Sequence, residues 1–335
     1  MSEHMEPVPE TPVKRRKSTN SLLAYSFKRA WQSVISVFIV ITVVFLLMRL
    51  LPLEGYFGDD YDRLDQVQRD AILESMGLLD PWYIQLRNFY VGMASGDLGE
   101  SIRYRPKIPV VEVVIPKIPI SVRFGLAAVG LSLTLGLTMG VLAARDKNKA
   151  VDKGVTAFIV FINAVPAVVY LLFIQLYATQ WFGLPILYRP TNPRSWFLPV
   201  FSMSLSGIAG YAMWIRRFMV DELNRDYIKL ARAKGMPNTA IMFKHVLRNA
   251  FVPMAQYLPT TLLFTIAGSL YIESLYSIPG MGGLLIDAIS LQDNPLVQLL
   301  VLIYSSIGIF GLFAGDILMA AIDPRIKLVG KAGAR

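Results

Sequence analysis

FGLAAVGLSLTLGLTMGVLAA, residues 124–144, runs twenty-one positions from Phe124 to Ala144 without an Asp, Glu, Lys or Arg. At about 1.5 Å per residue such a run makes a helix of about 30 Å, the thickness of a bilayer's hydrocarbon core. Five more charge-free runs accompany it: Trp31–Met48, Gly154–Tyr188, Ser195–Ile215, Asn249–Ile272 and Asn294–Gly315, of 18, 35, 21, 24 and 22 residues. Together the six hold 141 of the 335 residues. The whole chain is 54% hydrophobic and 17% charged, whereas soluble domains carry roughly 25% charged residues. The runs are solid apolar blocks, unlike the alternating segments of about ten residues that build a β-barrel. The sequence therefore predicts an all-α, polytopic membrane protein with six transmembrane helices.

Charge between the runs orients them. With both termini in the cytoplasm, the inside segments carry 22 Lys/Arg and sum to +13, and the outside segments carry 9 and sum to −4. Lys and Arg in short loops hold membrane proteins in that orientation. The net charge of +9 is thus a topological signature, and no nucleic-acid partner is needed to explain it. The chain divides into a basic cytoplasmic tail (1–30), a first transmembrane helix (31–51) and an external region with short helices (52–120). A core of five further spans (121–320) with a cytoplasmic loop (216–250) comes next, then a cytoplasmic tail (321–335). The first run is read as retained, because a polar leader of about 30 residues precedes it and no small-residue cleavage site comes after it. Lys14, Arg15, Arg16 and Lys17 read as a basic patch beside anionic lipid headgroups.

Local signals mark the spans and loops. Gly136 and Gly140 allow close helix approach. Asn163 and Pro166 interrupt the third run, and Pro253 and Pro259 loosen the fifth, as expected of pathway helices. Asp65–Met76 closed by Gly77, and Pro81–Ala94, read as short external helices. Arg49 and Arg123, at span ends, read as snorkelling cations. Trp31, Trp181, Trp196, Trp214 and Tyr271 read as interfacial aromatics. Glu273 ends the fifth span, where two readings stand: it faces the substrate's way in, or it caps the charge-free turn 274–286. Asp316, near the inner end of the sixth span, has two readings: a functional intramembrane acid, or a partner of a basic loop residue.

Segment 216–248 carries 8 Lys/Arg and 3 Asp/Glu. Asp226–Lys234 has helix-forming composition, Gly235 suits the left-handed position after a helix, and Pro237 suits the first turn of the next. Ala231, Ala233 and Gly235 form a small ridge flanked by cations, a shape suited to a protein groove. His245 reads as structural. With no cysteine, and with His4 and His245 the two histidines, the chain offers no disulfide, thiol nucleophile or histidine metal site.

At this loop the sequence resembles the type I ABC importer permeases, whose loop pattern Glu-Ala-Ala-x3-Gly-x9-Ile-x-Leu-Pro docks on an ATPase subunit. Aligned on Gly235, the chain keeps Ala231, Gly235 and Leu247; Lys229 stands at the acidic position and Arg248 at the proline. Those departures resemble the peptide and nickel permeases. Asp226-Tyr227-Ile228, Ala231-Arg232-Ala233-Lys234-Gly235 and Lys244-His245-Val246-Leu247-Arg248-Asn249-Ala250 carry the likeness. So do Gly96-Asp97-Leu98-Gly99-Glu100-Ser101 with Arg105-Pro106, Glu273 with Pro279-Gly280-Met281-Gly282, Asp287, Asp293 and Pro295, and Asp316 with Asp323-Pro324-Arg325-Ile326. The long first external segment is similar to that of the B-type subunit of oligopeptide and dipeptide permeases.

The resemblance implies a non-catalytic permease subunit in the cytoplasmic membrane of a prokaryote. It implies a homologous second permease, two ATPase subunits that bind ATP and Mg, an external binding protein or lipoprotein, and a peptide substrate in a bilayer of lipid. Consistent with ATP being held elsewhere, the sequence lacks a Gly-x4-Gly-Lys-Ser/Thr cradle. It assigns ATPase coupling to Asp226, Tyr227, Ala231, Arg232, Ala233, Lys234, Gly235, His245, Arg248 and Asn249, and the translocation pathway to Asn163, Pro166 and Glu273. Nickel permeases share these motifs, so another small solute stands as the alternative cargo. An ion-driven secondary transporter would want acids or histidines inside the spans, and the six runs hold no Asp or Glu and no histidine.

Overall fold

The computed structural model describes residues 18–50 and 52–322; the basic patch at Lys14–Lys17 and the Asp323–Ile326 motif lie outside them. Fourteen α-helical elements succeed one another among the described residues. α1 (Ser18–Met48) leads, through a 3₁₀ segment, to the short helices α2 (Gln66–Ser75), α3 (Trp82–Ser95) and α4 (Val110–Val114). Then come α5 (Ile118–Arg145), α6 (Ala150–Ala164), α7 (Ala167–Phe182), α8 (Phe197–Leu223), α9 (Asp226–Ala233), α10 (Asn238–Ala240) and α11 (Arg248–Ala267). α12 (Leu270–Leu275), α13 (Met281–Ser290) and α14 (Asn294–Ile322) complete the series. Five helical stretches are long and apolar enough to cross a membrane, and α6 with α7 supplies the sixth span as a broken pair.

Local chemistry explains most boundaries. Asp65 and Gln68 form a reciprocal capping box at the start of α2, and Gly77 (φ 66°) closes it. Gly96 (φ 81°) likewise closes α3. Pro116 and Pro119 sit in first turns, where their missing N–H groups cost nothing, so α5 begins at Ile118, before the apolar run does. In the third run the break falls at Val165-Pro166, as Asn163 and Pro166 suggested, but α6 and α7 meet at 109°; they are two helices rather than one kinked one. The fifth run behaves in the opposite way. α11 passes through both Pro253 and Pro259 and ends at Gly268, whose φ of 102° suits glycine.

α5 and α8 form the most extensive helix pair. A Cβ on Gly136 would lie 2.9 Å from the Ile208 carbonyl oxygen, and one on Gly140 would lie 2.6 Å from that of Ala212. The small-residue seam is therefore backbone against backbone. α11 packs on α14 and α14 on α1. At one end Arg29 pairs with Asp316 at 3.3 Å, with Gln256 also donating to that carboxylate, so the partner of Asp316 comes from α1. We refer to that end, which carries loop 216–250, as the loop face and to the other as the segment face.

Trp196 stacks on Phe124 at 4.0 Å and Trp214 lies 5.2 Å from Tyr257, while Trp31 and Trp181 are exposed. Arg49, one residue past the first candidate span, donates to the Tyr56 hydroxyl at 3.2 Å and covers the Phe45 ring. In addition α3 lies along α1, within the span. Tyr90 stacks on Phe38 and bonds Thr42 at 2.7 Å, while Phe89 stacks on Phe45.

Candidate functional site

The loop-face site is built from the polar loop inward. Ile228 and Ala231 of α9, with Ile241, Met242 and Val246, bury themselves against Ala144, Tyr211, Ile215, Met219, Ala250 and Met254, which belong to α5, α8 and α11. α9 ends as its composition predicted: the Met236 N–H reaches the Ala231 carbonyl at 3.2 Å, the Gly235 N–H reaches that of Arg232 at 2.9 Å, and Gly235 adopts φ 74°. Pro237 stands one position before α10 rather than inside it. Beyond α10 there is no separate second helix. Residues Ile241–Leu247 form a π-helical stretch that runs directly into α11, so the loop continues into a span without a joint.

A polar chain fastens α9 from the other side. Asn249 donates to the Tyr227 hydroxyl at 2.8 Å, and Tyr227 donates to the Glu222 carboxylate. This joins the start of α11, α9 and the end of α8. Burial, and then the neighbouring Glu222, raise the Tyr227 phenol above its usual pKa. Glu222 is a residue that sequence reasoning misses, since a lone acid in a basic loop carries no signal of its partner.

The structure divides the expected ridge. Ala231 is 8% exposed and packed against its own chain, so its small size serves the fit of α9 on the core. Arg232, Ala233, Lys234, Gly235, Arg248 and Asn249 are exposed, and His245 is half-buried. Two large apolar side chains that sequence reasoning passes over, Leu230 at 56% and Phe243 at 63%, stand bare in this cationic setting. Apolar residues in an otherwise polar loop were the available signal, and such exposure marks protein interaction surfaces.

On the segment face the motif stretches, remote in sequence, converge. Asp293 is fully buried, and its Oδ2 accepts from the Ser101 hydroxyl at 2.6 Å and from the backbone N–H groups of Ile102, Arg103 and Tyr104 at 3.1, 3.0 and 3.0 Å. Glu273, also fully buried, accepts from the N–H groups of Gly282 at 2.7 Å and Gly283 at 3.3 Å, the first turn of α13. Ser121 of α5 accepts from the Met281 N–H at 2.8 Å. A Cβ on Gly268 or Gly280 would collide with the Glu273 carboxylate. Of its two readings, the structure gives Glu273 the cap, with the carboxylate at the positive end of a helix. The same residue also borders a cavity of about 260 Å³ shared with Tyr104, Lys117 and Asp287. Asn163 turns its side chain back onto the Ile159 carbonyl at 2.8 Å, and Pro166 lies at the α6–α7 break. Asn163 and Pro166 sit at one break, and no hydrogen bond links Asn163 to Glu273 among the described residues.

Asp152 and Arg216 form a further site that the sequence did not reveal. The guanidinium grips the carboxylate through two bonds of 2.5 and 2.9 Å, and the Asn148 N–H adds a third at 2.8 Å. This pins α6 to α8 just above the loop. No group of three or more metal-ligating acids or histidines occurs among the described residues.

Known proteins resemble this chain. Residues 136–328 match the family described as "Binding-protein-dependent transport system inner membrane component". The oligopeptide transport system permease protein AppB of Bacillus subtilis is 30% identical over 329 residues, covering 91% of this chain and all of that one. The dipeptide transport system permease protein DppB of the same organism is 31% identical, covering 91% and 98%. The oligopeptide transport system permease protein OppB of Haemophilus influenzae is 31% identical, covering 91% and 100%. A chain of the inward-facing MetNI methionine ABC transporter matches with a TM-score of 0.51 at 16% identity, covering 64% of this chain and 97% of that one, a likeness of fold. With its helical spans, its loop-face outcrop and full-length relatives of this similarity, the chain belongs to the inner membrane components of binding-protein-dependent transport systems, the ABC importer permeases.

Proposed function

We propose that this chain forms half of the translocation pathway of an ATP-driven importer of oligopeptides or dipeptides, and that loop 226–249 couples it to an ATPase subunit. The observation that carries the reading is the seating of the loop. α9 and the π-helical stretch are packed into the ends of α5, α8 and α11, so a push on the exposed residues is delivered to three spans at once. The contact surface consists of Tyr227, Leu230, Ala233, Lys234, Gly235 and Phe243, with Asp226, Arg232, His245, Arg248 and Asn249 around it; Ala231 supports it from beneath. The loop face is cytoplasmic, with both termini on that side, and region 52–120, apart from α3 against α1, is external, in the membrane of a prokaryote. The chain itself is non-catalytic. ATP and Mg belong to two ATPase partners, and a homologous second permease and an external binding protein complete the assembly.

Because the chain has no cysteine, a single introduced thiol is unique on it. Ala233→Cys in the assembled transporter is expected to cross-link to the ATPase subunit with a short bifunctional maleimide. Asn163→Cys, away from the loop, is expected to give no such adduct. An ATPase adduct at residue 163 and none at residue 233 would remove the loop from its assigned role.

A further inference from the structure

On the segment face a cavity of about 650 Å³ opens between the end of α1, the end of α2, loop 98–107 and the start of α14. Its polar lining is unusual in one respect. Arg49 Nε and Gln298 Nε2, from two different helices, are both buried donors without a hydrogen-bond partner. Arg49 has only the Tyr56 hydroxyl and the Phe45 ring for company. Lys107 adds a second cation and Glu100 an acid to the same wall; none of these charged residues forms an ion pair among the described residues. An arginine half withdrawn from water without an anion is costly, and a buried N–H left unmet costs as much as the bond it lacks. The site asks for an acceptor that carries negative charge.

The rest of the wall says what that acceptor is attached to. Met76, Leu78, Leu98, Ile102 and Pro295 line it. Arg49 lies one residue beyond the first candidate span, and Gln298 lies in the second turn of the last. That is the depth of phosphate headgroups, and the cavity presents an apolar wall there. α3 sets Trp82 and Tyr83, both exposed, on the same side, as interfacial aromatics are placed. A soluble anion would have no use for the apolar wall, and a neutral lipid none for the two donors.

We propose that this cavity is a binding site for one glycerophospholipid, its phosphate held by Arg49, Gln298 and Lys107 and its acyl chains leaving past the apolar wall of Met76, Leu78 and Leu98. On the topology proposed above, the lipid belongs to the outer leaflet and wedges α2 and loop 98–107 against the spans.

The test uses the assembled transporter, delipidated in detergent and titrated with phosphatidylglycerol under native mass spectrometry. Wild type is expected to retain one tightly held lipid. Arg49→Gln is expected to weaken it about tenfold, the scale of a lost charge-assisted bond. Arg123→Gln, an equal loss of charge at another span end, is expected to leave it unchanged. Should Arg49→Gln fail to assemble, Gln298→Leu, which removes the second donor at constant net charge, is held to a weakening of at least about threefold. Equal binding by the variants and wild type would overturn the proposal, as would an equal loss in Arg123→Gln. Displacement of the lipid by inorganic phosphate would reduce the site to an anion site, and displacement by diacylglycerol to an apolar groove; either result overturns it.

Discussion

Asp152→Ala lowers the midpoint of thermal inactivation of the purified transporter by about 3–4 °C. The carboxylate is the acceptor for both bonds of Arg216 and for the Asn148 N–H, and only 4% of its side chain is exposed. Its removal leaves the guanidinium in a corner built to hold an anion. Breaking a buried pair costs about 3–5 kcal/mol. Because 28% of the Arg216 side chain still reaches solvent, the cost here falls to about 2–3 kcal/mol. Removing both charges is gentler than removing one, so adding Arg216→Met to Asp152→Ala recovers part of the loss. Thermal inactivation of the two single variants and the double variant measures this directly. Additive losses would show that the two residues are not coupled.

Gly140→Leu prevents accumulation of folded protein in the membrane. The added atoms would meet the Ile215 side chain and the Ala212 carbonyl oxygen at 2.6 Å and Cα at 3.0 Å, and the backbone atoms cannot swing aside. Overpacking a core with movable side chains costs about 1–3 kcal/mol; here α5 must leave α8, and the cost exceeds about 3 kcal/mol. Gly130 lies on the same helix, and a Cβ there meets nothing within 4 Å. Gly130→Leu is therefore expected to accumulate as wild type does. Membrane-fraction yield and monodispersity of the two variants check the prediction, and equal behaviour would contradict a seam of backbone contact.

The composition of the chain carried the spans, because hydrocarbon demands long uncharged runs whatever surrounds them. Local punctuation was equally legible at Gly77 and Gly235, where the left-handed conformation depends on the residue and its near neighbours. Where two distant stretches decide the outcome, the sequence was silent. Asp152 and Arg216, 64 positions apart, read as ordinary loop charges, and only the packing of α6 on α8 makes them a pair. Asp293 belongs to the motif around Glu273 and Pro295, but its partners lie at residues 101–104. Prolines misled in the fifth run: α11 absorbs Pro253 and Pro259, and the break moves to Gly268, where the Glu273 carboxylate leaves no room for a side chain. Ala231 shows the same limit, since smallness alone does not say whether a residue faces a partner or its own core.

In loop 226–249, Gly235 holds φ 74° with open space around it. Tryptophan there places bulk on the exposed surface and strain in the turn without disturbing a span. The most direct measurement is accumulation of a labelled oligopeptide in proteoliposomes containing the assembled transporter and its binding protein. It is made with ATP, with a non-hydrolysable analogue, and with a proton gradient alone. Accumulation is expected with hydrolysable ATP only, and is expected to fall to background for Gly235→Trp while that variant still inserts and assembles. Uptake driven by the proton gradient without ATP, or normal uptake by Gly235→Trp, would contradict an importer coupled through this loop.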